Sequence, residues 1–165
     1  MRYRVKSHKN TIWLGALLLA GMALTACDSP TGTAETGAAK AGSEIVMYKS
    51  PDCECCTGWA EHLRQAGFTV IENKREDMDA IKAKYGVTGQ LASCHTAIVD
   101  GYVIEGHVPA ADVTRLLKER PKVTGLTAPG MPMQSPGMQA RGLQPKNYNV
   151  LAFDKNGKSH VFTRY

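Results

Sequence analysis

The chain has 165 residues, 43% hydrophobic and 21% charged, with 20 lysines and arginines against 15 acids and a net charge of +5. That balance excludes disorder along the whole length and a multi-span membrane protein, and the length fits one domain. A basic excess suggests an anionic partner, yet Arg2, Arg4, Lys6 and Lys9 all fall in the first ten residues, where no acid occurs.

Those four residues form the head of a targeting segment. Ile12 to Leu24 is apolar but too short for an ordinary transmembrane helix, and a basic head with a short apolar body describes a secretory signal. It ends in Leu24-Thr25-Ala26-Cys27, which resembles the bacterial lipobox. The reading is a lipoprotein signal peptide over 1–26, with Cys27 acylated as the first mature residue and as the membrane anchor. Asp28 directly after it favours the inner membrane, and the predicted location is the periplasm. Removal of 1–26 leaves 139 residues with 16 basic groups against 15 acidic ones. Near neutrality, with no basic run interleaved with aromatics, excludes nucleic acid as a partner.

Residues 27–43 read as a flexible tether, because Ser29 to Ser43 is rich in Gly, Ala, Thr and Ser and has no apolar period. Glu44 to Tyr48 is a predicted strand. Trp59, His62, Leu63 and Ala66 recur at helical spacing over Cys55 to Ala66, with Gly67 as the stop. Phe68 to Glu72 is again strand-like, and Asp77 to Tyr85 is a short helix closed by Gly86. Thr96 to Val99 and Tyr102 to Glu105 flank Asp100-Gly101, the strongest hairpin signal in the chain. Pro109 opens a helix that runs to Arg120 before Pro121. From Lys122 to Asn147 the chain is rich in Gly, Pro and Met without a period, and loops of that length are usually functional or disordered. A last hairpin is predicted from Asn149–Phe153 to Ser159–Phe162. The order βαβ-α-ββ-α is that of an α/β, thioredoxin-like domain over 44–165, with a Met/Pro/Gly-rich loop and a C-terminal β-hairpin added.

Export changes the meaning of the cysteines, since thiols outside the cytoplasm are oxidised unless a metal or a redox partner prevents it. With Cys27 assigned to lipid, Cys53, Cys55, Cys56 and Cys94 remain. Three of them sit where the first strand gives way to the first helix, and a helix N-terminus stabilises thiolates. Cys53 and Cys56 have the Cys-x-x-Cys spacing of a thiol-disulfide oxidoreductase. Cys55 between them would trap such a pair in off-pathway disulfides, whereas a metal cluster gains a bridging thiolate from it. Cys94-His95 precedes the third strand, in the region that approaches the active-site helix of thioredoxin-like folds, so a fourth thiol and an imidazole are expected to converge there. Cys94 as a small buried residue and His95 as a loop cap are the plainer alternatives.

His107 lies just before the last domain helix and is expected either to order that turn or to act as a ligand. Met131, Met133 and Met138 are either gap-fillers or further soft donors. A Cys and His set alone leaves zinc open, while thioether and thiolate donors favour Cu(I). Methionine on an exported protein tips the choice to copper. His62 and His160 are expected to have packing or surface roles.

At this point the chain resembles the CopG-type exported copper-resistance family. The resemblance rests on Met47-Tyr-Lys-Ser-Pro-Asp-Cys-Glu-Cys-Cys-Thr-Gly-Trp59, Leu91-Ala-Ser-Cys-His-Thr-Ala97, Gly101 to Ala110, Gly130-Met-Pro-Met133, Ser135-Pro-Gly-Met138 and Val150 to Asp154. It implies a thioredoxin-like domain that binds several copper ions bridged by thiolates, serves copper resistance in the periplasm and interconverts Cu(I) and Cu(II). The implied ligands are Cys53, Cys55, Cys56, Cys94 and His95, with His107, Met131, Met133 and Met138 as weaker members. The implied partners are copper ions and a copper-donor, copper-acceptor or electron-transfer protein that the sequence does not identify. Members of the family usually have Gly where this chain has Glu54, which adds a negative charge beside the thiolates. Two rivals remain: a thiol-disulfide oxidoreductase using Cys53 and Cys56, and a zinc-binding module.

Overall fold

The structure, a computed structural model, describes residues 42–165. The predicted signal peptide, the Cys27 anchor and nearly all of the tether lie outside the described residues. Among the described residues no helix is long and apolar enough to cross a membrane.

The elements follow the order β1 (Glu44–Lys49), α1 (Glu54–Gln65), β2 (Thr69–Lys74), α2 (Met78–Lys84), β3 (His95–Val99), β4 (Tyr102–Glu105), α3 (Ala110–Glu119), β5 (Gly125–Thr127), β6 (Asn149–Phe153) and β7 (Ser159–Arg164). They build one mixed α/β sheet of seven strands in the order β2-β1-β3-β4-β5-β6-β7. β1 pairs β2 in parallel through α1, and β4 pairs β5 in parallel through α3. The remaining neighbours are antiparallel. The α/β order read from the sequence holds, with one addition. β5 lies inside the segment predicted as an unbroken loop, and it carries the final hairpin onto the sheet.

The period-2 pattern of β1 buries Ile45, Met47 and Lys49 on one face. Trp59, Ala60 and Leu63 of α1 and Val113, Leu116 and Leu117 of α3 join Ile45 and Met47 in the core, with Ala97, Val99 and Ile104 from β3 and β4. Each buried aliphatic side chain of this kind contributes about 1.5–3 kcal/mol. A second, smaller cluster of Val87, Leu91, Val103 and Phe153 is formed separately. At the β3–β4 turn, Asp100 and Gly101 have φ of 47° and 84°, as a two-residue turn of mirror-image type requires. That turn fixes the register Thr96↔Glu105, which decides what meets at the open end of the hairpin.

Candidate metal centre

The N-terminus of α1 is built from the turn Ser50–Cys53, in which Cys53 N donates to Ser50 O at 3.2 Å. Cys53 is the helix cap, and Glu54, Cys55 and Cys56 occupy the first turn. Helical geometry points Cys56 into the core with no exposed surface, and leaves Cys53 and Cys55 half-buried. Lys49, the last residue in the inward row of β1, sends its ammonium under this turn. It donates to Cys53 O at 3.1 Å and to Thr57 Oγ1, and pairs with Glu72 at 3.3 Å. A buried cation next to the cysteines is therefore held by its own counter-charge.

Cys94 and His95 arrive from the other side, at the start of β3. Their segment is fixed by Glu105, whose side chain is fully buried. The Glu105 carboxylate accepts from Ser93 N at 2.6 Å, from Thr96 Oγ1 at 2.7 Å and from Lys82 Nζ. One carboxylate thus grips the residues on both sides of Cys94-His95.

The two halves meet. The sulfurs of Cys53, Cys55, Cys56 and Cys94 lie within 4.8 Å of one another, and a donor atom from each of Cys56, Cys94, His95 and His107 forms a second group of the same compactness. Cys56 and Cys94 belong to both. Cys94 Sγ is 2.9 Å from His107 Nε2 and 3.5 Å from His95 Nδ1. His107 Nδ1 donates to Pro136 O at 2.6 Å, which fixes the tautomer with Nε2 free to face the sulfur. His95 packs against Trp59, ring centres 4.3 Å apart, and its buried Nε2 has no hydrogen-bond partner among the described residues. The Trp59 indole in turn donates to Val108 O at 2.8 Å.

The electrostatics suit neutral soft donors. Burial, then the nearby Cys55, pushes the Cys94 thiol up to about 12. Burial holds His95 well below its ordinary 6.5, with His107, Lys82 and Lys49 adding to the effect, and burial lowers His107 as well. Both imidazoles are neutral near pH 7 and so present lone pairs, while an incoming cation must displace the Cys94 proton.

Two features differ from the simplest form of the predicted ligand set. Cys53 and Cys56 are joined in a disulfide, with Cα atoms 5.5 Å apart, while Cys55 and Cys94 are free. In this state two of the four predicted thiolates are spent, and only their reduction restores the full set. His107, ranked among the weaker members, is fully buried in the centre and also orders its turn.

The methionines sit on a strap that crosses this end of the molecule. Gly130 is bridged to Ser93, and Gly130 N donates to Ala92 O at 2.9 Å. At the other end Pro136 holds His107, and Gly137 packs directly on the backbone of Gly58 in α1. Met131 and Met133 between these anchors are 59% and 69% exposed, and Met138 is half-buried. His62 takes a structural part, accepting from Ala110 N at 3.1 Å, and His160 is exposed. Sequence reasoning passed over Lys49 and Glu105. The available signal for Lys49 was its place in the Ile45-Met47 alternation.

A family model described as "Protein of unknown function, DUF411" matches residues 91–138. No curated protein matches the chain. Two solved structures, described as form 1 and form 2 of "Copper resistance protein copG", are each 38% identical to it with a TM-score of 0.69. Each match covers 75% of this chain and 98% of the other.

Proposed function

The chain belongs to the family of the copper resistance protein CopG, and from that premise we propose that it binds Cu(I) in a thiolate-bridged group of more than one ion as part of copper resistance. The observation that carries this reading is the sharing of Cys56 and Cys94 between two four-donor groups. A thiolate can bridge two metal ions, so shared sulfurs at this spacing suit neighbouring sites. Cysteine sulfur with neutral imidazole is a donor set for Cu(I) in preference to harder cations. The buried Nε2 of His95, unpartnered among the described residues, and the lone pair of His107 Nε2 are in keeping with a ligand-accepting pocket. In this reading Cys53, Cys55, Cys56, Cys94, His95 and His107 hold the metal. Met131, Met133 and Met138 serve as outer soft donors through which the ion enters or leaves. The protein acts in the periplasm, tethered by lipid on Cys27, and exchanges copper with a donor or acceptor protein.

Anaerobic titration of the reduced protein with Cu(I) tests the proposal. More than one ion is expected to bind, and Cys55→Ser is expected to bind fewer. An unchanged stoichiometry in Cys55→Ser sinks the cluster.

The disulfide favours one second reading, a thiol-disulfide oxidoreductase working through Cys53 and Cys56. Under it Cys55→Ser keeps or improves disulfide reductase activity and Cys53→Ser abolishes it. A wild-type protein inert toward disulfides excludes it.

A further inference from the structure

A lysine is seldom buried without a full partner, and a cation is disfavoured at a helix N-terminus, where the dipole is already positive. Lys49 breaks both rules. It is 3% exposed, and its ammonium sits under the first turn of α1 against Cys53 O and Thr57 Oγ1. Its carboxylate partner is shared. Glu72 pairs with Lys49 at 3.3 Å and with Arg64 at 3.0 Å. Burial works against the Glu72 charge, but Arg64 and Lys49 outweigh it and hold the carboxyl below its ordinary 4.5, so it is ionised at neutral pH. Two cations against one carboxylate leave a surplus of one positive charge beneath the cysteine turn.

The surroundings do not cancel that surplus. The two buried acids among the described residues are engaged elsewhere, Glu105 with Lys82 and Asp112 with Arg115. Asp52 and Glu54 flank Cys53 but are exposed, where solvent and salt screen them. The field of the ammonium also reaches the far side of the centre. After burial, His107 and Lys82, it is one of the causes that hold His95 below its ordinary value. A buried charge without its own counter-ion is costly, and a rule broken in this way points to a functional site.

Resting on the reading that Cu(I) is the cargo, we propose that Lys49 is the counter-charge of the partly loaded centre. Its ammonium stabilises the negative charge that the thiolates of Cys53, Cys55, Cys56 and Cys94 keep when the first Cu(I) ions bind. The sign follows from the charge balance of the reduced protein. Each thiol gives up a proton to water as it becomes a ligand, so four thiolates carry four negative charges. Each Cu(I) returns one positive charge, and the group stays anionic until a fourth ion enters. Lys49 repels the ion itself, but the thiolates outnumber the first ions and the net effect is attraction. Lys49 bonds the Cys53 carbonyl and is not itself a ligand, so it is a positioning residue that acts through its charge.

The test uses the purified protein, fully reduced and anaerobic, titrated with Cu(I) against a cuprous chelator at fixed ionic strength. Lys49→Met is expected to weaken binding of the first Cu(I) by at least about tenfold, the order that one unit charge is worth at short range inside a protein. Glu72→Gln keeps an acceptor for Lys49 and Arg64 while raising the surplus from one charge to two, and is expected to tighten binding severalfold. Opposite signs are the signature of charge, because a lost support for the turn weakens binding in both variants. Where Lys49→Met does not fold by circular dichroism, the direction of the change in Glu72→Gln decides alone. An unchanged affinity in folded Lys49→Met overturns this inference and leaves copper binding standing. A lowered or unchanged affinity in Glu72→Gln does the same. Wild-type protein that binds no Cu(I) overturns the copper reading beneath it.

Discussion

Cys94 and His107 face each other across the open end of the β3–β4 hairpin, the sulfur 2.9 Å from Nε2. The two-residue turn at Asp100-Gly101 sets this meeting. Counted outward from it, Val99 pairs Tyr102 and Thr96 pairs Glu105, and two steps further the same count brings Cys94 opposite His107. His107 therefore belongs to the Cys94 half of the centre, and Pro136 O holds its ring from behind.

Replacing His107 with Gln is expected to weaken Cu(I) binding by at least about tenfold, since losing a ligand costs no less than losing a group that orients one. Competition against a cuprous chelator measures it. The variant keeps all four sulfurs, so Cu(I) is still expected to bind. An affinity equal to wild type removes His107 from the centre.

Glu105 offers a different kind of control, because its carboxylate touches no cysteine and yet holds Ser93 and Thr96 in place. Glu105→Ala leaves Lys82 without its counter-charge in a largely buried setting, and removal of one partner of a buried pair costs about 3 kcal/mol or more. Glu105→Gln keeps an acceptor for Ser93 N–H and is expected to lose less. Urea denaturation ranks the two. A Cu(I) affinity that falls in Glu105→Gln, with the fold intact by circular dichroism, identifies a positioning residue.

How much of this could be read from residues alone depends on the range of each signal. Local signals were readable: the Asp100-Gly101 turn, the helical spacing of Trp59 and Leu63, and the grouping of Cys53, Cys55 and Cys56. β5 was not, because three residues are too few to show a period and its pairing with Val103–Glu105 is made across α3. The place of His107 is legible in principle from the hairpin register, which sets it opposite Cys94. Glu105 gave almost no signal, since a carboxylate at a strand end is ordinarily solvated. Only the fold brings Lys82, Ser93 and Thr96 to it.

Acid is expected to destabilise the metal-free protein. His62, His95 and His107 all have pKa values below the ordinary 6.5, and burial is the first cause in each. Below 6.5 the unfolded chain binds more protons at these rings than the folded chain does, so stability falls as pH drops from 6.5 toward the lowered folded values. Glu105 works in the opposite sense. Burial raises its pKa above 4.5, so the folded state takes up that proton first and offsets part of the loss. Urea midpoints measured above and below pH 6.5 check the sign. His62→Gln retains an acceptor for Ala110 N–H and is expected to show a shallower dependence. A midpoint that rises on acidification contradicts the assignment.

The strap over the centre depends on a backbone approach that only glycine allows. A Cβ on Gly137 would lie 2.6 Å from Trp59 N and 2.7 Å from Cys55 O, and its φ of 87° lies in the left-handed region. The φ alone costs an L-residue about 1–2 kcal/mol, and the clash with helix backbone adds to it. Gly137→Ala is therefore expected to push the strap off α1 and draw Pro136 O away from His107. With that carbonyl gone, the ring is no longer held in the tautomer that faces Cys94. Two readouts separate this from general weakening: faster alkylation of Cys94 under native conditions, and lower Cu(I) affinity at a temperature where the protein is still folded. If Cys94 reacts at the wild-type rate in Gly137→Ala, the strap does not shield the centre, and its contact with α1 serves stability alone.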